Sequence, residues 1–400
     1  MTTGLLCRSY ELTCISPIHT GSGGKLKPFE YLYNSETHEA AFLNPTKWIA
    51  FLDQRGLMER FSNYVVKGAG GTDNLRTWLL AQGVTEDELE SLIIRRAHAD
   101  PLDTDSDKAT LNEIICQTTL ADGRPYIPGS SIKGALRTGI LHGLIRRRPQ
   151  LFRGRLQEFH TLLKNKKKRD IDFLIGQIET QLLHTLKREQ KTPPWNATVS
   201  AMRGLRVSDA ACPADETDSV ILRKLDFTTG MEDGACENRL SLFRESIPAG
   251  RRLRFTITVD PAMLRTLGIR SIDEIVGMVH AYTADGLRLQ EKVFGRQYPA
   301  LFAAAKNADA LLGGGTGFLS KTLVYALADS DKEARDFIVD YLDQTFTEWD
   351  PITRQRVPAH QHRAFDRAIS PRTLKLARMD SEDWIMGLCS ITEVGNAQTL

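Results

Sequence analysis

The sequence predicts the α+β class, with a core of βαββαβ order interrupted by large helical insertions. Three observations carry that prediction. Tyr10, Leu12 and Cys14 alternate with Glu11 and Thr13, the period of a half-buried strand. Ile132, Leu136, Ile140 and Leu144 recur every four residues, the spacing of one helical face. Leu253, Phe255, Ile257 and Val259 alternate with polar residues, and helical periodicity follows from Ser271.

The first strand covers Cys7 to Ile18 and runs into Ser16-Pro17-Ile18-His19-Thr20-Gly21-Ser22-Gly23-Gly24-Lys25, a glycine-rich loop. A hairpin follows, Glu30 to Asn34 and Ala40 to Leu43. Asn44-Pro45 supplies an N-cap and an N1 proline for a helix through Phe51. Helical patterns continue to about Arg96, broken at Gly68-Ala69-Gly70-Gly71, and Asp100 to Lys108 reads as an acidic, mobile loop. Pro125 and Pro128 hold Tyr126-Ile127 extended. Gly129, with an N-cap at Ser130 or Ser131, then opens the next helix. Residues 151–190 form one or two basic helices, closed by Thr192-Pro193-Pro194-Trp195.

Strands then dominate: Gly204 to Ser208, Val220 to Phe227, Leu240 to Ser246 and Leu253 to Val259. Helices are expected at Ser271 to Asp285, Leu287 to Lys306 and 331–344, with a helix or strand after the glycine run at Gly313. The resulting organisation is a core over 1–330, interrupted by helical insertions at 45–125 and 148–200 and a β-hairpin or loop insertion at 212–240. Residues 331–400 form a C-terminal helical extension. Strand, helix, two strands, helix is the order of ferredoxin-like and RNA-recognition-motif cores, in a modified form because no convincing last strand is legible.

Four hundred residues with 41% hydrophobic and 26% charged content describe an ordinary globular chain, long enough for two or three domains. No apolar run approaches the roughly 20 residues of a membrane span. The stretch Met1 to Arg8 lacks a basic region followed by an apolar core, so a cytoplasmic location without membrane contact is expected. Six scattered cysteines without a CxxC pair suit a reducing compartment and exclude a zinc ribbon; no metal or other cofactor is expected.

A net charge of +2 says little, but its distribution says more. Ser131 to Arg169 holds twelve Lys or Arg and one acid, Glu158, densest at Arg146-Arg147-Arg148 and Lys166-Lys167-Lys168-Arg169. Glu86 to Asp107 holds eight acids and two arginines. Such runs are commonly solvated faces. This basic block, however, follows a helix start suited to an anion, which points to a polyanionic partner.

That helix start gathers free amides, the Ser130 and Ser131 hydroxyls and the cations Lys133 and Arg137, a setting for phosphate. The same residues equally describe a capped core helix with solvated cations. Gly313-Gly314-Gly315-Thr316-Gly317-Phe318-Leu319-Ser320-Lys321-Thr322 is not a Walker A loop, because Ser320 stands where glycine must precede Lys-Thr. Its glycines, with Thr316, Ser320 and Lys321, can line a backbone-phosphate surface or form a tight turn. His19, beside the Gly21-Ser22-Gly23-Gly24 run, is the catalytic candidate: a general base on a ribose 2′-hydroxyl, with Lys25 neutralising phosphate charge. A structural or ligand-positioning role competes with that reading. Phe255 alone represents the aromatic fingerprint of RNA-recognition strands, so RNA contact would run through phosphates and shape, independent of sequence.

Ser16-Pro17-Ile18-His19-Thr20-Gly21-Ser22-Gly23, Ile127-Pro128-Gly129-Ser130-Ser131-Ile132-Lys133-Gly134-Ala135-Leu136-Arg137, Arg206-Val207-Ser208-Asp209 and Gly315-Thr316-Gly317-Phe318-Leu319-Ser320-Lys321-Thr322 occur in the order seen in RAMP-type CRISPR proteins. With Glu245-Ser246-Ile247-Pro248-Ala249-Gly250 and Pro371-Arg372-Thr373-Leu374-Lys375, the chain resembles the fifth-subunit family of the type III-A Csm effector complex. The resemblance implies a non-catalytic cap on a RAMP core at the crRNA 3′ end, linked to complex assembly and 3′-end maturation in antiviral defence. It implies crRNA and target RNA as ligands, a backbone RAMP subunit and a small helical subunit as neighbours, and cellular nucleases that trim the crRNA. Carried over by position, the guide path would be lined by His19, Gly21, Ser22, Gly23, Gly24 and Lys25, by Ser130, Ser131, Lys133 and Arg137, and by Gly313, Gly314, Gly315, Thr316, Gly317 and Lys321. The basic run adds Arg146 and Arg147. The alternative is a metal-independent RAMP endoribonuclease that processes repeat RNA with His19 as base.

Overall fold

The alternation at Leu253 to Val259 builds the strand Arg252–Val259, whose burial alternates residue by residue. It pairs antiparallel with Leu6–Cys14, setting Leu12 opposite Leu253 and Tyr10 opposite Phe255, with ring centroids 5.8 Å apart. The structure, a computed structural model, describes all residues except 1–3, 68–73, 100–110, 112, 166, 190, 230–234, 380–381, 396–397 and 400. The expected break at Gly68 to Gly71, the whole of the acidic loop and Lys166 therefore lie outside the described residues.

These two strands centre an eight-stranded sheet ordered Ala310–Leu311, Leu388–Glu393, Leu6–Cys14, Arg252–Val259, Ala210–Ala211, Tyr126–Ile127. Leu205–Val207 also pairs with Arg252–Val259, and Gln398–Thr399 with Leu6–Cys14. The helices Gly129–Arg147 and Ile272–Phe294 cover its buried face. Ile132, Leu136, Ile140 and Leu144 are all buried, as their spacing requires. Each such side chain contributes about 1.5–3 kcal/mol of transfer free energy.

The last strand that the sequence did not reveal is Leu388–Glu393, antiparallel to Leu6–Cys14. Residues 331–400 differ from the expected helical extension. They hold the helices Asp331–Thr345 and His362–Phe365, then the strands Thr373–Met379, Glu382–Ile385 and Leu388–Glu393. Buried Leu374 and Leu376 flank the partly exposed Lys375, a strand period that breaks where Ala377 is buried beside Leu376.

A second, nine-stranded sheet runs Gly21–Leu26, Ile114–Gln117, Ala235–Ser246, Ser219–Thr229, Ile93–Ala99, Glu39–Leu43, Tyr31–Asn34, with Thr373–Met379 and Glu382–Ile385 branching from Ser219–Thr229. Two expectations change here. The glycine-rich segment after Thr20 is a strand, because a ladder uses main-chain groups that glycine also carries. Ile93–Ala99, expected within helix, is a strand led by two β-branched isoleucines and pairs in parallel with Ser219–Ile221. The helices Pro45–Gln54, Leu75–Ala81 and Glu86–Leu92 pack on Leu32, Ala41 and Leu43. Arg155–Lys164 and Lys168–Leu183 join the main core through Phe159, Leu163 and Ile171.

The chain crosses between the sheets side by side at two places, Ile15 to Thr20 and Ile247 to Arg251. Ile18 and Ile247 exchange both main-chain hydrogen bonds there, at 3.0 and 2.8 Å. Gly313 to Gly317 comes down beside them, directly after Ala310–Leu311. All three of these turns meet at the seam between the sheets.

The two core helices touch through glycine. A methyl at Gly139 would lie 2.7 Å from the Val279 Cα, whereas one at Gly143 would meet the flexible side chain of Met278. Gly139→Ala is therefore expected to cost about 1–3 kcal/mol, and Gly143→Ala clearly less, measured by urea denaturation. Equal costs would show that the backbones are not in fixed contact.

Candidate nucleic-acid interface

Glu245, fully buried, organises the seam from beneath. Its carboxylate accepts from Arg95 Nε and Nη2 at 2.7 and 2.9 Å, the Gln117 amide at 3.0 Å and the Ser219 hydroxyl at 2.9 Å. Burial works against the Arg95 charge, but its bonds to Glu245 outweigh that and hold its pKa above the ordinary value. Gln117 extends the network upward: its Oε1 accepts from the Thr20 amide at 2.8 Å, and its Nε2 donates to the Tyr126 carbonyl at 2.9 Å. The histidine segment and the approach to the helix at Gly129 are thereby tied together.

The Glu245 carbonyl accepts a hydrogen bond from His19 Nδ1 at 2.6 Å. A carbonyl only accepts, so Nδ1 carries the proton and Nε2 holds a lone pair in the neutral ring. Burial pushes the imidazole below its ordinary 6.5; the bond to Glu245 opposes this, and the Arg244 charge adds to it. The Gly314 amide donates to the His19 carbonyl at 2.7 Å. Gly313 has φ +84°, and a Cβ there would lie 2.1 Å from that same carbonyl oxygen, so glycine is required.

The cations divide into two sets. Lys133, Arg244 and Lys321 make no ion pair among the described residues, and each has its pKa lowered, first by burial. Arg206 adds to the effect on Lys133 and Arg244 to that on Lys321, so cations are crowded beside cations. Arg244 approaches Gly315, and the Lys375 stem approaches Gly317; Lys375 itself is paired with Asp226 at 2.6 Å.

The other expected cations have acid partners. Lys25 pairs with Glu113 at 2.7 Å, Arg137 with Glu179, Arg146 with Asp285 at 3.0 Å and Arg147 with Glu274 at 2.6 Å. At 1.5 Å per residue, Arg146 lies roughly 20 Å along the helix from Lys133. Gly21, Ser22, Gly23 and Gly24 form the exposed strand beside His19.

The helix start also differs from expectation. Pro128 is the N-cap residue, so Ser130 and Ser131 sit inside the first turn. Asp209 takes the Gly129 amide at 2.7 Å, the place expected for a phosphate. A Cβ at Gly129 would lie 2.3 Å from the Val207 carbonyl oxygen, so the first helical position requires glycine.

Sequence reasoning missed Arg244, Arg95 and Gln117 as parts of the site. Only Arg244 left a trace, as the residue before Glu245 in the segment that carries the family resemblance.

Two outcomes follow. Glu245→Ala leaves the Arg95 charge buried without a partner and is expected to cost about 3–5 kcal/mol in urea denaturation; a loss under 1 would mean the pair does not hold the seam. A histidine with a depressed folded pKa binds fewer protons folded than unfolded. Stability is therefore expected to fall as pH drops below 6.5 and through the folded pKa. His19→Gln should remove that component from the pH–stability profile, and an unchanged profile would contradict the assignment.

The pattern of the RAMP superfamily matches residues 11–260. "CRISPR system Cms protein Csm5" of Mycobacterium tuberculosis (strain CDC 1551 / Oshkosh) is 27% identical, covering 96% of this chain and 97% of the relative. The protein of the same description from Streptococcus thermophilus is 23% identical over 78% of this chain and 79% of its own length. A chain in a cryo-EM structure of a Csm–crRNA–target RNA ternary complex in a type III-A CRISPR-Cas system superposes with a TM-score of 0.67. It is 15% identical, covering 97% of this chain and 100% of that one. The crystal structure of T. onnurineus Csm5 gives a TM-score of 0.56 at 15% identity, covering 87% and 97%. The resemblance to the fifth-subunit family is thus found along nearly the whole chain. Carrying the family pattern over more than half its length, on a core of the expected mixed class, this chain belongs to the RAMP superfamily.

Proposed function

We propose that this chain is a crRNA-binding structural subunit of a type III-A Csm complex that caps the 3′ end of the guide. In this reading it contributes to assembly and to 3′-end maturation, admitting the nucleases that trim the RNA. Its protein neighbours are a backbone RAMP subunit and a small helical subunit, and the guide it holds pairs with target RNA. One observation carries the reading: among the described residues Lys133, Arg244 and Lys321 make no salt bridge, while Arg137, Arg146 and Arg147 do. Cations left free of salt bridges attract an anionic chain. The shared fold with a chain of the Csm–crRNA–target RNA complex supports guide RNA as that anionic chain.

His19 retains a base-competent nitrogen, but Lys25, the cation that an endoribonuclease would need at the phosphate, is engaged by Glu113. The structural reading is therefore preferred to the catalytic one.

In assembled complex, Arg244→Ala with Lys321→Ala is expected to make the salt dependence of guide binding shallower. The slope of log K against log salt should fall by about 0.7 for each phosphate contact removed. Arg146→Ala with Arg147→Ala should leave the slope unchanged. Guide of normal length and amount retained by the first variant at raised salt would refute the proposed surface. Metal-free cleavage of repeat RNA by the purified chain, abolished by His19→Ala, would replace this reading with the enzymatic one.

A further inference from the structure

His19 is only 3% exposed, yet its Nε2 is not sealed. That nitrogen makes no hydrogen bond among the described residues, and it is not closed off from solvent as Nδ1 of His142 is. The ring lies in a slot walled by two glycines. A Cβ added at Gly21 would sit 3.1 Å from Nε2, and one at Gly314 would sit 3.0 Å from Cδ2. Neither glycine has the positive φ that would itself require the residue type. The missing side chains therefore keep space clear at the ring edge. Gly21 itself is exposed, so the slot opens outward on that side.

The chemistry of the slot is narrow. Because Nδ1 is committed to the Glu245 carbonyl, Nε2 of the neutral ring is an acceptor and nothing else. A phosphate offers no proton to such an atom near neutral pH, and a base is too broad for a slot bounded by glycines on both sides. A hydroxyl fits both requirements. RNA carries one at every ribose, and DNA lacks it.

We infer that His19 Nε2 accepts a hydrogen bond from the ribose 2′-hydroxyl of one guide nucleotide, making this slot a ribose reader that distinguishes RNA from DNA. The inference rests on the RNA-binding reading above. Gly21 and Gly314 admit the ribose edge, Glu245 fixes the tautomer, and the unpaired cations hold the flanking phosphates.

The test uses the full chain and RNA oligonucleotides of the guide 3′ segment, each with a single 2′-deoxy ribose at a successive position. For the unaltered protein, one position is expected to lose about two- to tenfold in affinity, the worth of one neutral hydrogen bond. His19→Ala should bind the ribo and deoxy forms equally at that position. Gly21→Ala, which leaves the histidine in place and crowds its approach, should do the same. If both variants keep the wild-type penalty at that position, His19 is not the reader. If no position shows a penalty while binding remains steeply salt-dependent, the ribose contact is refuted and the RNA-binding reading stands. Absence of salt-dependent RNA binding ends both.

Discussion

One fully buried carboxylate fixes the geometry on which the rest of the seam depends. Glu245 gathers donors from Ile93–Ala99, Ile114–Gln117 and Ser219–Thr229, while its own carbonyl holds the His19 ring. A buried ion pair of this kind is a weak source of net stability, since an apolar replacement of equal volume can do as well. Its value here is positional. Every lone pair is directed, so the strands that carry the donors cannot slip without exposing an unpaired charge. The imidazole inherits that rigidity because it is bonded to the same residue.

The placement of cations shows how misleading a linear count of charge can be. The basic run from Ser131 to Arg169 is the densest in the sequence, yet in space Arg137, Arg146 and Arg147 are matched by acids from Lys168–Leu183 and Ile272–Phe294. Those acids are far away in the chain and could not be assigned to the arginines beforehand. Arg244 attracts no notice as a single residue, and only folding brings its charge to bear on Lys321 and His19. Local charge density is a property of the surface, and sequence neighbours are a poor guide to it.

The elements legible in the sequence were those whose period is long and whose partner face is continuous. Leu253 to Val259 and Ile132 to Leu144 declared themselves because each buries one uninterrupted face. Ile93–Ala99 and Thr373–Met379 did not, because neither alternates cleanly in burial and each lies within a sheet assembled from distant segments. The strand Gly21–Leu26 was hidden by glycines that resemble a loop. The Pro128-Gly129 turn was legible, but its cap was not, since the atom occupying it comes from Asp209. For the site, His19, Lys133 and the Gly313 turn could be singled out from residue type alone. The network that orients them could not, because its members are joined only through tertiary contacts.

The central strand Leu6–Cys14 has its two main neighbours at Arg252–Val259 and Leu388–Glu393. During synthesis it therefore emerges long before either companion and must wait with both edges open. Closure of this sheet is a late, non-local event, of the kind that slows folding and leaves the nascent chain in need of protection. The seam forms only when those edges close, so a chain halted before Leu388 would present an incomplete sheet and no finished groove.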